Sequence, residues 1–237
     1  MINFLNNKIN KLNIEINKEK EMKFIRFYQL LIEWNGKMNL TGITDFEEVV
    51  EKHFVDSLSI VKVTDLKKIN NLVDIGTGAG FPGIPIKIMF PHVKVTLLDS
   101  LNKRIQFLNT VIEELGLHEI ETLHGRAEDF AKKKEYREQY DLCVSRAVAN
   151  LSTLSEYCIP FVREGGAFIS YKAGDSKKEI EESRKAVKIL GGKIQSVHEF
   201  QLPETEINRT LVTILKEHPT AKKYPRKAGI PTKEPIK

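Results

Sequence analysis

The chain has 237 residues, of which 41% are hydrophobic, as expected for one large globular domain or one domain with an appendage. No apolar run is long enough to span a bilayer, and the Asn-, Lys- and Glu-rich N-terminus has no signal-peptide core. We therefore expect a cytoplasmic protein with no membrane partner. Cys143 and Cys158 are too few for a disulfide framework, and no Cys/His grouping has metal-ligand spacing, so no metal is expected.

Positive charge is concentrated near the C-terminus. The formal net charge is +5, and the segment from Lys216 onward carries an equal excess of basic residues, so the rest of the chain is close to neutral. This distribution indicates a polyanionic partner for the tail rather than for the whole fold. Because prolines interrupt residues 218–237, we expect a tail that is neither helix nor central strand but extended or disordered. It could track a phosphate backbone and stack a base on Tyr224, or it could be a solvated terminus.

Residues 1–68 are predicted to form a helical N-terminal region. Apolar residues at helical spacing predict an amphipathic helix over 21–35, whose stripe we expect to be core: Phe24, Phe27, Tyr28, Leu31 and Trp34. Thr44 followed by Glu47 resembles a capping box, which predicts a second helix over 47–61. On that helix His53, Asp56 and Ser57 share a face. Either His53 and Asp56 form a hydrogen bond on the helix surface, or they face the cofactor cleft.

The stretch 72–83 has the most specific local pattern in the chain. An apolar strand over 72–75 runs into a glycine-rich turn, and a helix is predicted over 82–90. Gly78, Gly80 and Gly83 satisfy G-x-G-x-x-G, and Asp99 ends the next apolar strand, where a ribose-binding carboxylate belongs. Taken alone, this pattern fits NAD as well as S-adenosylmethionine, and a simple tight βα turn is the structural alternative.

Two residues favour S-adenosylmethionine over a dinucleotide. Pro82 stands where the helix should begin and has no N–H to offer a pyrophosphate. Asp74 precedes the first glycine, where a carboxylate would repel a pyrophosphate but could meet the cationic methionine end of S-adenosylmethionine.

The chain beyond Asp99 continues as alternating helices and strands. We expect helices over 101–115, 151–162 and 176–190, a Gly165-Gly166 turn, and strands over 119–123, 140–144, 167–172, 193–201 and 209–216. The last two strands should form an antiparallel hairpin, and Ser145-Arg146-Ala147 follows the fourth strand at the active edge of the sheet. We therefore predict an α/β fold, with a Rossmann-like seven-stranded class I S-adenosylmethionine-dependent methyltransferase sheet over 69–217 and a helical region before it.

Several motifs together resemble the RsmG (GidB) family, from about Phe24 into the tail. The motifs are Trp34-Asn35 with Asn39-Leu40-Thr41, His53 with Asp56-Ser57-Leu58, residues 74–85, Leu97-Leu98-Asp99-Ser100 with Lys103-Arg104, residues 145–149, and Tyr171-Lys172. Members of that family are bacterial enzymes that methylate N7 of one guanosine in small-subunit ribosomal RNA. The resemblance therefore implies S-adenosylmethionine as cofactor and 16S ribosomal RNA, free or in the 30S particle, as partner of a monomeric enzyme.

The resemblance also implies the site residues. Gly76, Gly78 and Phe81 should belong to the cofactor site, Asp99 should hold the ribose hydroxyls, and Ala127 with Glu128 should meet the adenine. Arg146 should border the pocket where the methyl group and the target base meet. Candidate RNA contacts are Lys103, Arg104, Arg126, Lys172, Arg209, Arg226 and Lys227.

The expected chemistry needs no general base, because guanine N7 has a free lone pair and no proton to lose. Asn-Pro-Pro-Tyr is absent after the fourth strand, and Cys143 lies inside that strand, where we expect a core residue rather than a nucleophile. Two other functions stay open from the residues alone. One is a dinucleotide oxidoreductase, and the other is a noncatalytic RNA-binding module that keeps a cofactor pocket.

Overall fold

A seven-stranded sheet forms the centre of the computed structural model, which describes residues 1–146, 148–174 and 176–236. The strands are β1 (Asn71–Ile75), β2 (Lys94–Asp99), β3 (Ile120–His124), β4 (Tyr140–Arg146), β5 (Val162–Ala173), β6 (Gly192–Gln201) and β7 (Asn208–Lys216). Their spatial order is β3-β2-β1-β4-β5-β7-β6, and β7 runs antiparallel to both β5 and β6. This topology confirms the predicted class I methyltransferase fold with its terminal hairpin.

Helices cover both faces of the sheet. They are α1 (Ile2–Asn10), α2 (Lys18–Met38), α3 (Phe46–Val49), α4 (Asp56–Leu58), α5 (Gly83–Met89), α6 (Asn102–Glu114), α7 (Ala127–Phe130), α8 (Leu151–Cys158), α9 (Lys177–Ile189) and α10 (Ile230–Lys233). A π-helical turn, Val50–Val55, joins α3 to α4, and 3₁₀ turns occupy Ser59–Lys62, Leu66–Lys68 and Ile159–Phe161. In these residues no helix combines the length and apolarity needed to cross a membrane.

The N-terminal helices pack on one face of the sheet through the predicted apolar stripe. Phe24, Phe27 and Leu31 of α2 are fully buried. The Phe27 ring lies 5.6 Å from the Phe54 ring and 5.3 Å from the Phe81 ring. Burial of such side chains stabilises the fold by about 1.5–3 kcal/mol each. The N-terminal region and the glycine-turn region therefore share one core.

Three local predictions were wrong in detail. The side chain of Asp45, not Thr44, caps the second helical run by accepting the Glu48 amide at 3.0 Å. The Gly165-Gly166 pair lies inside the longer strand β5, next to a register shift against β4, rather than in a turn before it. The helix that begins at Leu151 ends at Cys158 and tightens into a 3₁₀ turn.

The C-terminal tail is ordered against the domain, and it includes the short helix α10, so the expectation of a non-helical, extended or disordered tail was wrong. Its Arg226 binds the fully buried carboxylate of Glu156 on α8. Arg137 donates to the carbonyl oxygen of Tyr224 at 2.9 Å. These side-chain contacts, which composition does not reveal, outweigh the disorder that proline and lysine favour.

Candidate active site

The glycine turn after β1 is held by Asp74. Oδ2 of this buried carboxylate accepts the Thr77 hydroxyl at 2.7 Å and the Gly83 amide at 2.8 Å. Burial raises the pKa of Asp74 to about 7, although both hydrogen bonds oppose the shift. The expectation that this carboxylate meets a ligand's cationic end was therefore wrong for this conformation, because Asp74 faces the turn and the start of α5.

Asp99, at the end of β2, organises the edge of the sheet beside that turn. Its side chain is 2% exposed. Oδ2 accepts the Gly78 amide at 2.9 Å and Nη1 of Arg104 at 3.2 Å, and Oδ1 accepts the Leu101 amide at 2.9 Å. A carboxylate offers about four acceptor sites. One site is thus left for a ligand, and a second becomes free if the partly exposed Arg104 turns away.

A cavity of about 370 Å³ opens at this edge, and we call it the Asp99 cavity. Such a volume lies in the range of small-ligand sites, about 300–1,000 Å³. The lining residues come from the ends of the strands and from the C-terminal segment: Ile75, Gly76, Leu98, Asp99, Ser100, Arg104, Gly125, Arg126, Ala127, Glu128, Val148, Ala149, Tyr157 and Thr232. A Cβ at Gly76 would lie 2.5 Å from Cγ2 of Val148, and φ is +69°, so this position favours glycine.

A second cavity, of about 330 Å³, lies at the carboxyl ends of β4 and β5, and we call it the Arg146 cavity. Nη1 of Arg146 donates to Oδ2 of Asp56 at 2.9 Å, and Nε of Arg209 donates to Oδ1 of the same carboxylate at 3.0 Å. Asp56 is 3% exposed. Two arginines thus compensate one buried carboxylate and fix its orientation.

His53 lies between Arg146 and Phe81 in this second cluster. Its ring stacks on Phe81 with the centroids 4.6 Å apart, and Nη2 of Arg146 lies 3.3 Å from Nδ1. Burial, reinforced by the positive charge of Arg146, lowers the pKa of His53 to about 3. Nδ1 also lies 3.1 Å from the carbonyl oxygen of Lys52, and Nε2 lies 2.9 Å from the Thr41 hydroxyl, so both ring nitrogens have polar neighbours other than Asp56. The predicted alternative of a bond between His53 and Asp56 is therefore wrong, and both residues line a cleft instead.

The cofactor-binding residues that were expected from the sequence lie at two different cavities in the structure. Gly76, Asp99, Ala127 and Glu128 line the Asp99 cavity, while Gly78 reaches it only through its hydrogen bond to Asp99. Two residues are instead associated with the Arg146 cavity: Arg146 lines it, and Phe81 lies under its guanidinium at 5.1 Å.

The basic residues that were expected to contact RNA also lie in different places, at the two cavities and on the exposed surface. Two of them line the Asp99 cavity (Arg104 and Arg126), two line the Arg146 cavity (Lys172 and Arg209), and two are exposed (Lys103 and Lys227). Arg226 lines neither cavity, and its guanidinium is paired with Glu156. Arg104, Arg209 and Lys172 are likewise paired, with Asp99, Asp56 and Glu179. Contact of these side chains with RNA stays a prediction. Nζ of Lys172 donates to the Ala149 carbonyl at 2.9 Å. This hydrogen bond connects a lining residue of the Arg146 cavity with a lining residue of the Asp99 cavity.

Among the lining residues of the Asp99 cavity that were not named as site residues from the sequence are Val148, Tyr157 and Thr232. Val148 lies in a residue range that was singled out, but its packing over Gly76 has no sequence signal. Tyr157 and Thr232 are far apart in sequence and meet through a 2.7 Å hydrogen bond between their hydroxyls. Only the fold reveals that pairing.

Comparison with known sequences shows a close relationship over the whole chain. The sequence profile of the GidB family, described as rRNA small subunit methyltransferase G, matches residues 20–209. A protein of Clostridium botulinum (strain Loch Maree / Type A3) named ribosomal RNA small subunit methyltransferase G is 50% identical over 235 residues, which are 99% of this chain and 98% of the relative. A protein of the same name from Exiguobacterium sibiricum is 50% identical over 223 residues, 94% of each chain.

Solved structures share the fold of this chain at low sequence identity. The complex of the Haloferax volcanii Trm112 methyltransferase activator with a methyltransferase matches at TM-score 0.59 and 12% identity, covering 79% of this chain and 98% of that one. The M. jannaschii TYW2 structure, solved with AdoMet, matches at TM-score 0.55 and 12% identity, covering 74% and 79%. These likenesses support the fold. From the profile match and the near full-length relatives, this chain belongs to the GidB family of small-subunit ribosomal RNA methyltransferases.

Proposed function

We propose that the chain transfers a methyl group from S-adenosylmethionine to N7 of one guanosine in 16S ribosomal RNA. The observation that carries the proposal is a buried carboxylate, Asp99, aimed into a nucleoside-sized cavity of a chain that belongs to a ribosomal RNA methyltransferase family. We expect a monomer that acts in the cytoplasm on the small ribosomal subunit or its RNA.

The residues of the Asp99 cavity fit an adenosine-containing cofactor. Two ribose hydroxyls need two acceptor sites, so we infer that Arg104 leaves Oδ2 of Asp99 when the nucleoside binds. Glu128 is 3% exposed and offers an acceptor to an adenine amino group, and Ala127 leaves room beside it. Gly76 also lines the cavity, and because it has no side chain its backbone is within reach of the methionine end.

The Arg146 cavity is suited to the acceptor base. It combines apolar surface from Ile43, Tyr171 and Ala173 with the positive side chains of Arg146, Lys172 and Arg209. A guanine presents O6 and N7 as acceptors on one edge, and its RNA backbone is anionic. The family's target chemistry therefore agrees with the charge of this cavity.

Catalysis in this arrangement depends on alignment. S-adenosylmethionine supplies an electrophilic methyl group, and the N7 lone pair forms the new N–C bond as the C–S bond breaks, with both bonding electrons leaving on sulfur. The reaction removes no proton, so no base is required. His53 is consistent with this, because its lowered pKa keeps it neutral and both of its ring nitrogens already have polar neighbours in the protein.

The direct test combines binding with transfer. The purified chain should bind S-adenosylmethionine but not NAD in calorimetry, and it should label 30S particles or 16S RNA taken from cells that lack the enzyme. Tight NAD binding without S-adenosylmethionine binding would refute the proposal. Binding of S-adenosylmethionine and RNA without methyl transfer would also refute it, in favour of a noncatalytic RNA-binding module.

A further inference from the structure

We propose that the C-terminal segment 228–236 is part of the nucleoside-binding wall, with Gly229 and Thr232 as positioning residues for the adenosine end of the cofactor. The inference rests on the proposed function, since it takes S-adenosylmethionine to occupy the Asp99 cavity. It assigns to the tail a role in cofactor affinity rather than in contacting RNA.

The segment is fixed to the domain just before it reaches the cavity. Glu156 of α8 is fully buried, and its carboxylate accepts the Arg226 amide at 2.7 Å and Nη2 of the Arg226 guanidinium at 2.7 Å. Charge-assisted, forked pairs of this kind hold a defined geometry. Two residues later the chain therefore enters the cavity from a fixed point.

The segment then contacts the wall of the cavity directly. The Gly229 amide donates to Oε1 of Glu128 at 3.0 Å. Gly229 has φ +85°, a conformation that favours glycine, and the left-handed backbone there sets the direction of its N–H. With Oε1 held by this amide, Oε2 of Glu128 is the oxygen left for the amino group of an adenine.

Two further contacts place Thr232 at the lining. The carbonyl oxygen of Pro231 accepts the Thr153 hydroxyl at 3.0 Å, and the Thr232 hydroxyl lies 2.7 Å from that of Tyr157. Thr232 and Tyr157 both line the Asp99 cavity. The wall is thus built jointly by α8 and the tail.

The tail's part of this wall lies outside the part of the chain that the family profile matches, since that match ends at residue 209. The C. botulinum relative is nevertheless aligned over 235 residues. The structure therefore assigns a cofactor role to residues that the profile match does not include.

Two truncated chains test the proposal. A chain ending at Lys227 keeps the Arg226–Glu156 contact but loses Gly229 and Thr232, whereas a control chain ending at Glu234 keeps all three. We expect the first to bind S-adenosylmethionine at least tenfold more weakly than the full chain. We expect the same factor for methylthioadenosine, which carries the adenosine end without the amino-acid end. The control should bind both ligands as the full chain does. Affinities of the Lys227-ended chain within twofold of the full chain for both ligands would overturn the proposal.

Hydrogen exchange on the full chain gives a second measurement, in case the shorter chain does not fold. Saturating methylthioadenosine should slow amide exchange in a peptide covering 228–236. Unchanged exchange there, with slowed exchange around Asp99, would overturn the proposal while leaving the proposed function intact. Failure of the full chain to bind either ligand would refute the proposed function, and the inference with it.

Discussion

Asp99→Asn tests whether Asp99 binds the ribose of the cofactor, with cofactor affinity and fold stability measured separately. The amide side chain keeps the size of the carboxylate but replaces one acceptor oxygen with a donor nitrogen. With its oxygen kept towards Gly78 and Arg104, its NH₂ group faces the Leu101 amide, and one ribose hydroxyl loses a charged acceptor. Hydrogen bonds to charged groups contribute about 1.5–3 kcal/mol, so cofactor affinity should fall by about 10- to 150-fold.

The assay is calorimetric titration of S-adenosylmethionine, with thermal unfolding measured on the same sample. The orphaned Leu101 amide should destabilise the fold by about 1–3 kcal/mol, which lowers Tm by about 2–4 °C per kcal/mol for a domain of this size. Asp129→Asn, at an exposed position on α7 near the same edge, is the matched control and should change neither quantity. Unaltered cofactor affinity of folded Asp99→Asn would refute the assignment of Asp99 to the ribose.

Three further substitutions have expected effects on stability. Gly83→Ala should lower the free energy of unfolding by about 1–3 kcal/mol, because its methyl group would overlap Leu97 and lie 2.9 Å from Oδ2 of Asp74. Arg226→Ala should cost about 3–5 kcal/mol, since it removes the positive charge beside the fully buried carboxylate of Glu156 and leaves only the backbone amide of residue 226 as a donor to it. His53→Gln should change the pH dependence of unfolding in urea. The folded-state pKa of His53, about 3, lies below its unfolded value of 6.5, so its contribution to stability is present above pH 6.5 and is lost as pH falls through this range. Relative to the unsubstituted chain, the variant's stability should rise less steeply with pH between about 4 and 6.5, by up to about 1.4 kcal/mol per pH unit.

Controls make these expectations specific. Gly36→Ala, in α2 with open space around the new methyl group, should stabilise the chain by about 1 kcal/mol. Lys227→Ala, at an exposed position, should leave stability unchanged. Asp74→Asn should change the pH dependence of the free energy of unfolding in the direction opposite to His53→Gln. The folded-state pKa of Asp74 is raised to about 7, so the contribution of Asp74 to stability is lost as pH rises from 3.8. Equal slopes for His53→Gln and the unsubstituted chain would contradict the buried neutral imidazole.

Local patterns predicted the parts of the site that local geometry determines. Strand, glycine turn and helix are contiguous in sequence, and Asp99 ends the next parallel strand, so spacing alone could bring the Gly78 amide and the Asp99 carboxylate to one edge. The antiparallel hairpin of β6 and β7 followed in the same way from two strand patterns without an intervening helix. These features could be predicted because their residues are close in sequence or because their arrangement follows a general rule of α/β topology.

Contacts between residues that are distant in sequence could not be predicted from local sequence patterns. The tail was expected to be extended or disordered because its prolines and lysines favour that state, yet the buried partner of Arg226 lies 70 residues earlier, on α8. The role of Asp74 as the holder of the turn depends on which way its side chain points, and its spacing carries no such information. Likewise, no local pattern brings His53 on its π-helical turn to Arg146 at the end of β4.

The measurement that tests the central claim most directly is transfer of a labelled methyl group from S-adenosylmethionine to 30S particles and 16S RNA from cells that lack this enzyme, followed by nucleoside analysis. We expect 7-methylguanosine at a single position, with label lost when Asp99→Asn replaces the unsubstituted chain at low cofactor concentration. Label in another nucleoside, or no label on either substrate despite measurable cofactor binding, would contradict the proposed function.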